Sequence, residues 1–364
     1  MKYYYVYIVL LIVFLASASV VFAKGPHGIY AFGWGDNFQD TPALSVDDIA
    51  GMTAYFGWKD LEPEDGKYDF SSIEALLVKA KEENKKINIG IYPGANTPSW
   101  VYGYGVKKFS WYVRYREDRR RFSHRDGEQK VSPLPWDSRY LYLWKRFVSH
   151  LADTYRGNDS VGYVSLTGPV VDTLTTGLII KKSEDWRRFV GRGYSIDVLY
   201  RSWVDIIDFY HKVFRGRKPL VLGLAPERPG TRDVTLSKKI FKYIVRKNYK
   251  DIQFLCVFLN DTWFLRGGGA IGIRTLLKDA RKKGFSFGYQ MAAPARTSSR
   301  WRQDFRVVKS LRRALEIGLD DGASWLEVWH SDLFTKSRSG KYVRYPGHVG
   351  DIRYANSVMK KKGG

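Results

Sequence analysis

The sequence predicts an α/β protein, a single (β/α)8 TIM barrel, on three observations. Eight short apolar runs recur along the chain, each is followed by a polar stretch and a segment of helical period, and no long linker divides them. Strand alternating with helix implies parallel pairing, and eight such units close a sheet on itself. A doubly wound open sheet is the alternative. With 44% apolar residues, the 364-residue chain can bury a sizeable core.

Taken in order, the chain starts with MKYYYVYIVLLIVFLASASVVFA, residues 1–23: a short positive start, an uninterrupted apolar run and a small final residue, Ala23. That outline predicts a secretory signal peptide, or an N-terminal anchor, since the run is long enough to span a bilayer. Either places the barrel, residues 24–364, outside the cytoplasm as a secreted or extracellular protein.

Strands are expected at HGIYAFGW (27–34), GMTAYFGW (51–58), INIGIYPG (87–94), VGYVSLTG (161–168), PLVLGLAPE (219–227), DIQFLCVFLN (251–260), GFSFGYQM (284–291) and GASWLEVW (322–329). After the second, Ser71 with Glu74 three residues on predicts an N-cap and capping box leading into IEALLVKAKEEN. After the fifth, LSKKIFKYIVRK carries Ile240, Tyr243 and Ile244 at helical spacing. After the sixth, IRTLLKDARKKG ends in Gly284, a helix stop. The first crossover, between Trp34 and Gly51, has room for one or two turns.

Composition narrows the function. The lone cysteine, Cys256 in QFLCVFL, cannot form an intramolecular disulfide, so an exported chain of this size relies on packing. Lys and Arg number 60 against 37 acids, a net charge of +23 that favours anionic partners such as acidic polysaccharide. The charge is spread along the chain, with one concentration at residues 112–130. No zinc-ligand spacing, phosphate-binding loop or nucleic-acid motif accompanies it, so a nucleic-acid binder is disfavoured and no metal or cofactor is expected. A membrane enters only through the N-terminal anchor alternative.

In a closed barrel, function collects at the C-terminal ends of the strands, and alternate strand residues point inward. Alternation puts Asn88, Gly90 and Tyr92 inside, then Gly223, Ala225 and Glu227, then Ser286, Gly288 and Gln290, and finally Trp325, Glu327 and Trp329. Two carboxylates, Glu227 and Glu327, are thus expected inside near the functional end. An inward charge is costly unless solvated or hydrogen-bonded, which marks such groups as functional candidates or as hydrogen-bond anchors.

The run FGWKDLEPEDGKYDFSSIEALLVKAKEENKKINIGIYPGANTPSWVY, residues 56–102, resembles the second and third β/α units of clan A glycoside hydrolases, of the β-galactosidase-like and cellulase-like branches. The matching residues are a Trp followed by Leu61, Glu62 and Pro63, then Gly66, Tyr68, Asp69 and Phe70, then Pro98 and Trp100. Residues 133–169 resemble the stretch that leads into the fourth strand. The resemblance implies a glycosidase hydrolysing O-glycosidic bonds in an oligosaccharide or polysaccharide, with an acid/base glutamate after an Asn ending the fourth strand and a nucleophilic glutamate ending the seventh.

This chain departs at both places. Thr167, Gly168 and Pro169 stand where Asn, Glu and Pro would be expected, and Gln290 occupies the nucleophile's position. Glycoside hydrolysis ordinarily needs two carboxylates, about 5 Å apart for retention and roughly 6.5–9.5 Å for inversion. The substitutes on offer are Glu327, Glu227, Asp172 on the fourth loop and Asp261 after the sixth strand. Trp34, Trp58, Trp100, Trp263 and Trp329 fall at or just beyond strand ends, where flat rings suit the CH faces of sugars. Tyr92, Thr167, Gln290 and His330 lie among them as further substrate-binding candidates. Two functions follow: an exported glycosidase, or a catalytically inactive, lectin-like barrel that has kept the cleft and lost both glutamates.

Overall fold

The computed structural model describes residues 25–33, 42–113, 127–228, 230–261, 269–295, 308–337, 339 and 341–363. Residues 1–23, most of the basic stretch, Trp34 and Trp263 lie outside the described residues. Twelve strands are described: β1 (Gly28–Phe32), β2 (Gly51–Gly57), β3 (Lys86–Tyr92), β4 (Lys108–Tyr112), β5 (Gln129–Pro133), β6 (Val161–Ser165), β7 (Leu220–Gly223), β8 (Ile252–Leu259), β9 (Phe287–Met291), β10 (Trp325–Trp329), β11 (Phe334–Lys336) and β12 (Tyr342–Arg344). The eight expected strands are β1, β2, β3, β6, β7, β8, β9 and β10. They close into one parallel barrel in the order β1-β10-β9-β8-β7-β6-β3-β2. The other four form two antiparallel hairpins, β4 with β5 and β11 with β12.

The barrel has two apolar layers because strand residues alternate. Tyr30, Tyr163, Val221, Leu255 and Trp325 fill its interior. The opposite faces pack against the helices, with Trp58 fully buried and its ring 5.1 Å from Trp144 and 5.7 Å from Phe147. Aromatic pairs of this kind contribute about 0.5–1.5 kcal/mol each beyond their area. The helix Thr235–Lys247 buries Ile240, Tyr243 and Ile244 as its spacing predicts. Helix Gly269–Lys282 stops ahead of Gly284, which takes a left-handed φ of 74°. Cys256 is buried, and burial pushes its thiol up to about 12, which makes it inert.

Two local expectations are corrected. The helix Ser71–Glu82 is not capped by Ser71; Asp69 Oδ1 accepts the Ser71 N–H at 3.0 Å, and Glu74 instead accepts the Tyr155 hydroxyl at 2.7 Å. The strand expected through residue 227 ends at Gly223, because the chain following β6 crosses there: Thr175 bridges Gly223 in parallel, and Thr176 N–H donates to the Gly223 carbonyl at 2.8 Å. Among the described residues, no helix is long and apolar enough to cross a membrane.

Candidate functional site

Alternation delivers polar side chains from five strands to one level of the barrel interior: Thr53 of β2, Asn88 of β3, Tyr163 of β6, Gln290 of β9 and Glu327 of β10. Glu327 is the centre of this layer and is 0% exposed. Its carboxylate accepts hydrogen bonds from the Tyr163 hydroxyl at 2.6 Å, Gln290 Nε2 at 2.6 Å and Trp325 Nε1 at 3.3 Å. Gln290 Nε2 also donates to the Tyr55 hydroxyl. Asn88 Nδ2 donates to the Thr53 hydroxyl at 3.0 Å. Burial raises the Glu327 pKa above the ordinary carboxylate value, while the bonds from Tyr163, Gln290, Thr53 and Trp325 pull the other way.

The loop after β6 covers this layer on the β3–β7 side. Ala95 N–H donates to the Val171 carbonyl at 2.7 Å, and the Leu174 side chain lies 3.3 Å from where a Cβ of Gly90 would stand. Gly94, at φ 65°, passes so close to Val171 that a Cβ there would lie 2.0 Å from its carbonyl oxygen. Over the layer, Tyr55 and Tyr92 are partly exposed, with their rings edge to face at 5.7 Å. Asp172 is also partly exposed. Burial, then Tyr55, then the Asp172 charge push the Tyr92 hydroxyl well above its usual range.

The other expected site residues are placed as follows. Glu227 is not inside the barrel. It lies on the loop after β7, where it accepts the Tyr194 hydroxyl while its backbone bonds to Leu178 and Asp233. Burial raises its pKa, opposed by the Tyr194 bond. Asp261 Oδ2 accepts the N–H groups of Lys309 at 3.1 Å and Ser310 at 2.9 Å, just before helix Leu311–Asp321. Asp261→Ala should therefore lower stability by about 1–2 kcal/mol, the scale of a lost helix cap. Chemical denaturation would measure this, with saccharide binding left unchanged.

Trp58 lies in the core and donates its Nε1–H to Glu62, so its ring is not available to a cleft. Trp100 is partly exposed, but it belongs to the same packing unit: its Nε1–H donates to the Glu62 carbonyl at 3.0 Å, and Arg146 sits over its ring. Thr167 is buried, with its hydroxyl donating to the Ile91 carbonyl at 3.0 Å. Trp329 is partly exposed at the end of β10, its ring 4.5 Å from Phe32 and its Nε1–H on the Met291 carbonyl. His330 follows it, also partly exposed.

Gly168 points the wrong way for an acid. A Cβ there would lie 2.8 Å from Trp144 Nε1 and 3.2 Å from Ile206 Cγ2, on the helix side of the wall. Sequence reasoning does not single out Tyr163 and Thr53 as partners of Glu327, or Tyr55 as a partner of Gln290. The alternation of GMTAYFG and VGYVS carries them, since it holds for β2 and β6 as it does for β3, β9 and β10.

Residues 39–208 match the Glyco_hydro_42 family model, described as beta-galactosidase. No curated protein matches the sequence. Among solved structures, the chain is similar to the catalytic domain of beta-amylase from Paenibacillus polymyxa, at 12% identity and TM-score 0.55 over 93% of this chain and 99% of that one. It is similar to xylanase 10B from Thermotoga maritima at 13% identity and TM-score 0.51, over 92% and 95%. It is also similar to the beta-galactosidase from Rahnella sp. R3 at 14% identity and TM-score 0.52, over 93% of this chain and 56% of that one. At such identities the structural likeness speaks for the fold, and the match over residues 39–208 ties it to glycosidases. Over residues 39–208 the chain thus resembles the glycoside hydrolases, and it is built on a single (β/α)8 barrel.

Proposed function

We propose that the chain is an exported, carbohydrate-binding barrel of glycoside hydrolase-like fold whose mouth, over Tyr55, Tyr92, Asp172 and Trp329, holds a saccharide without cleaving it. One observation carries the reading: Glu327, the carboxylate best placed by alternation, is 0% exposed, with donors from Tyr163, Gln290 and Trp325 on its oxygens. A general acid or nucleophile must come within about 3 Å of a reacting sugar atom, and this one is walled in. Glu227 and Asp261 are engaged elsewhere, and Gly168 and Gln290 can neither protonate a leaving group nor attack an anomeric carbon. The net charge of +23 favours an acidic glycan.

Hydrolysis has one specific observation in its favour, the partly exposed Asp172 beside Tyr92. Titration calorimetry against a panel of neutral oligosaccharides, run beside an assay for released reducing ends, separates the two. We expect binding without cleavage, weakened about tenfold (about 1.4 kcal/mol) by Tyr92→Ala. Turnover by the parent protein that drops by two or more orders of magnitude in Asp172→Asn or Glu327→Gln would establish the hydrolase instead. Binding indifferent to both Tyr92→Ala and Trp329→Ala would remove the saccharide from the mouth.

A further inference from the structure

Away from the mouth, the structure has a second concave surface over the start of helix Ser138–Tyr155. A cavity of about 350 Å³ lined by Lys107, Trp136, Asp137, Arg139 and Arg192 adjoins one of about 290 Å³ lined by Tyr104, Tyr142 and Leu143. Both include Ser138 and Arg139, so they form one trough. Each is near the lower end of the volume that small-ligand sites occupy, roughly 300–1,000 Å³.

The trough's charge is one-sided. Arg139 spends its guanidinium on neutral acceptors, the carbonyls of Tyr104 and Gly105 at 3.4 and 3.2 Å. Lys107 and Arg192 are exposed, and neither forms an ion pair with a described residue. The single acid, Asp137, is taken up by the N–H groups of Lys107, Arg139 and Tyr140 at 3.0–3.1 Å. Three cations less one anion leave a net charge of +2.

Two of its three rings, those of Trp136 and Tyr104, are held in place. Trp136 packs against Phe189 at 5.0 Å and Tyr194 at 6.0 Å, which leaves its ring partly open to the trough. Tyr104 is anchored through its hydroxyl on Asp65, and Tyr142 is 68% exposed. Aromatic faces between cations suit a chain of sugar rings whose CH faces stack while their charges pair with Lys and Arg. A net charge of two over a few sugars matches one carboxylate per ring better than the denser charge of a sulfated glycan.

We propose that this trough is a second saccharide site, for a uronic-acid polysaccharide, and that it tethers the protein to an acidic glycan independently of the mouth. The inference rests on the carbohydrate reading above and gives its anionic partner a place. The probe is a galacturonate hexamer, titrated at low and at physiological salt. The paired substitutions Lys107→Gln and Arg192→Gln should weaken binding at least tenfold and flatten its salt dependence. Tyr142→Ala should weaken it about fivefold with no change of charge. The control pair Lys79→Gln and Lys81→Gln, on the exposed face of helix Ser71–Glu82, removes the same charge elsewhere and should change nothing.

Equal weakening by the control pair would mean that only overall charge is felt, and full affinity in Tyr142→Ala that no sugar stacks there; on either result the trough falls as a saccharide site. Tighter binding of dextran sulfate with the same dependence on these residues would overturn the uronate assignment. If Tyr92→Ala abolishes hexamer binding while the trough variants retain it, the uronate sits in the mouth; the trough is then wrong and the mouth reading stands. A protein that binds neither the hexamer nor neutral oligosaccharides overturns both.

Discussion

Replacing Gly168 by glutamate is expected to destabilise the protein by about 3–5 kcal/mol and to create no hydrolase activity, although it writes the family's acid back into the sequence. The reason is direction. A Cβ at this position would stand 2.8 Å from Trp144 Nε1, 3.0 Å from Trp144 Cδ1 and 3.2 Å from Ile206 Cγ2. Trp144 cannot step aside cheaply, being fully buried with its Nε1–H on the Thr167 carbonyl at 2.9 Å. The backbone here, at φ 152°, also favours glycine. Overpacking alone costs about 1–3 kcal/mol, and a carboxylate driven into an apolar wall adds the cost of burying an unpaired charge. Denaturant titration gives the stability and a reducing-sugar assay gives the activity. A variant as stable as its parent, or one that acquires turnover, would show that the glutamate reaches the barrel mouth and that the wall at Trp144 yields to it.

The second large effect is expected at Glu327. Glu327→Ala removes the acceptor for Tyr163, Gln290 and Trp325 together and leaves a cavity between them. Buried donors left without a partner cost about 1–3 kcal/mol each where they cannot turn elsewhere. Gln290 keeps Tyr55 as a partner, which brings the expected loss to about 3–5 kcal/mol. Glu327→Gln keeps the shape and removes the titration, so it isolates the pH term. Burial raises the folded-state pKa of Glu327 above its unfolded value. The folded state therefore holds the proton more tightly, and the stabilisation this gives is complete below the unfolded pKa and lost as pH rises through the folded one. The stability of the parent relative to Glu327→Gln should accordingly be greatest near pH 4 and should decline towards neutral and alkaline pH. A difference that grows with pH would mean that the hydrogen bonds outweigh desolvation and that Glu327 is held as an anion.

Much of the fold is legible in the chain because its signals are local. The alternation of FGYQM and WLEVW is a property of neighbouring residues, and it places Gly288, Gln290, Trp325 and Glu327 inside before any partner is known. Gly284 stops its helix for a reason internal to its own backbone. The same reasoning failed at Glu227, where the strand breaks off at Gly223 because residues 175 and 176, from another loop, pair with it. It failed at Trp58 as well, since a tryptophan after a strand reads alike whether it faces a cleft or, as here, the helix Ser138–Tyr155.

The sequence by itself determined the barrel class, the inward set of residues on most strands, and the absence of glutamate at positions 168 and 290. Periodicity and residue identity need no neighbour from elsewhere in the chain. Only the tertiary structure decided which of the remaining carboxylates are buried and what they bond to. Whether Glu327 is open or walled in depends on Tyr163 and Gln290, which lie 164 and 37 residues away in the chain. The roles of Glu227 and Asp261 depend on partners 33 and 48–49 residues distant. Burial and hydrogen bonding set a carboxylate's reach and pKa, and both are properties of what closes around it.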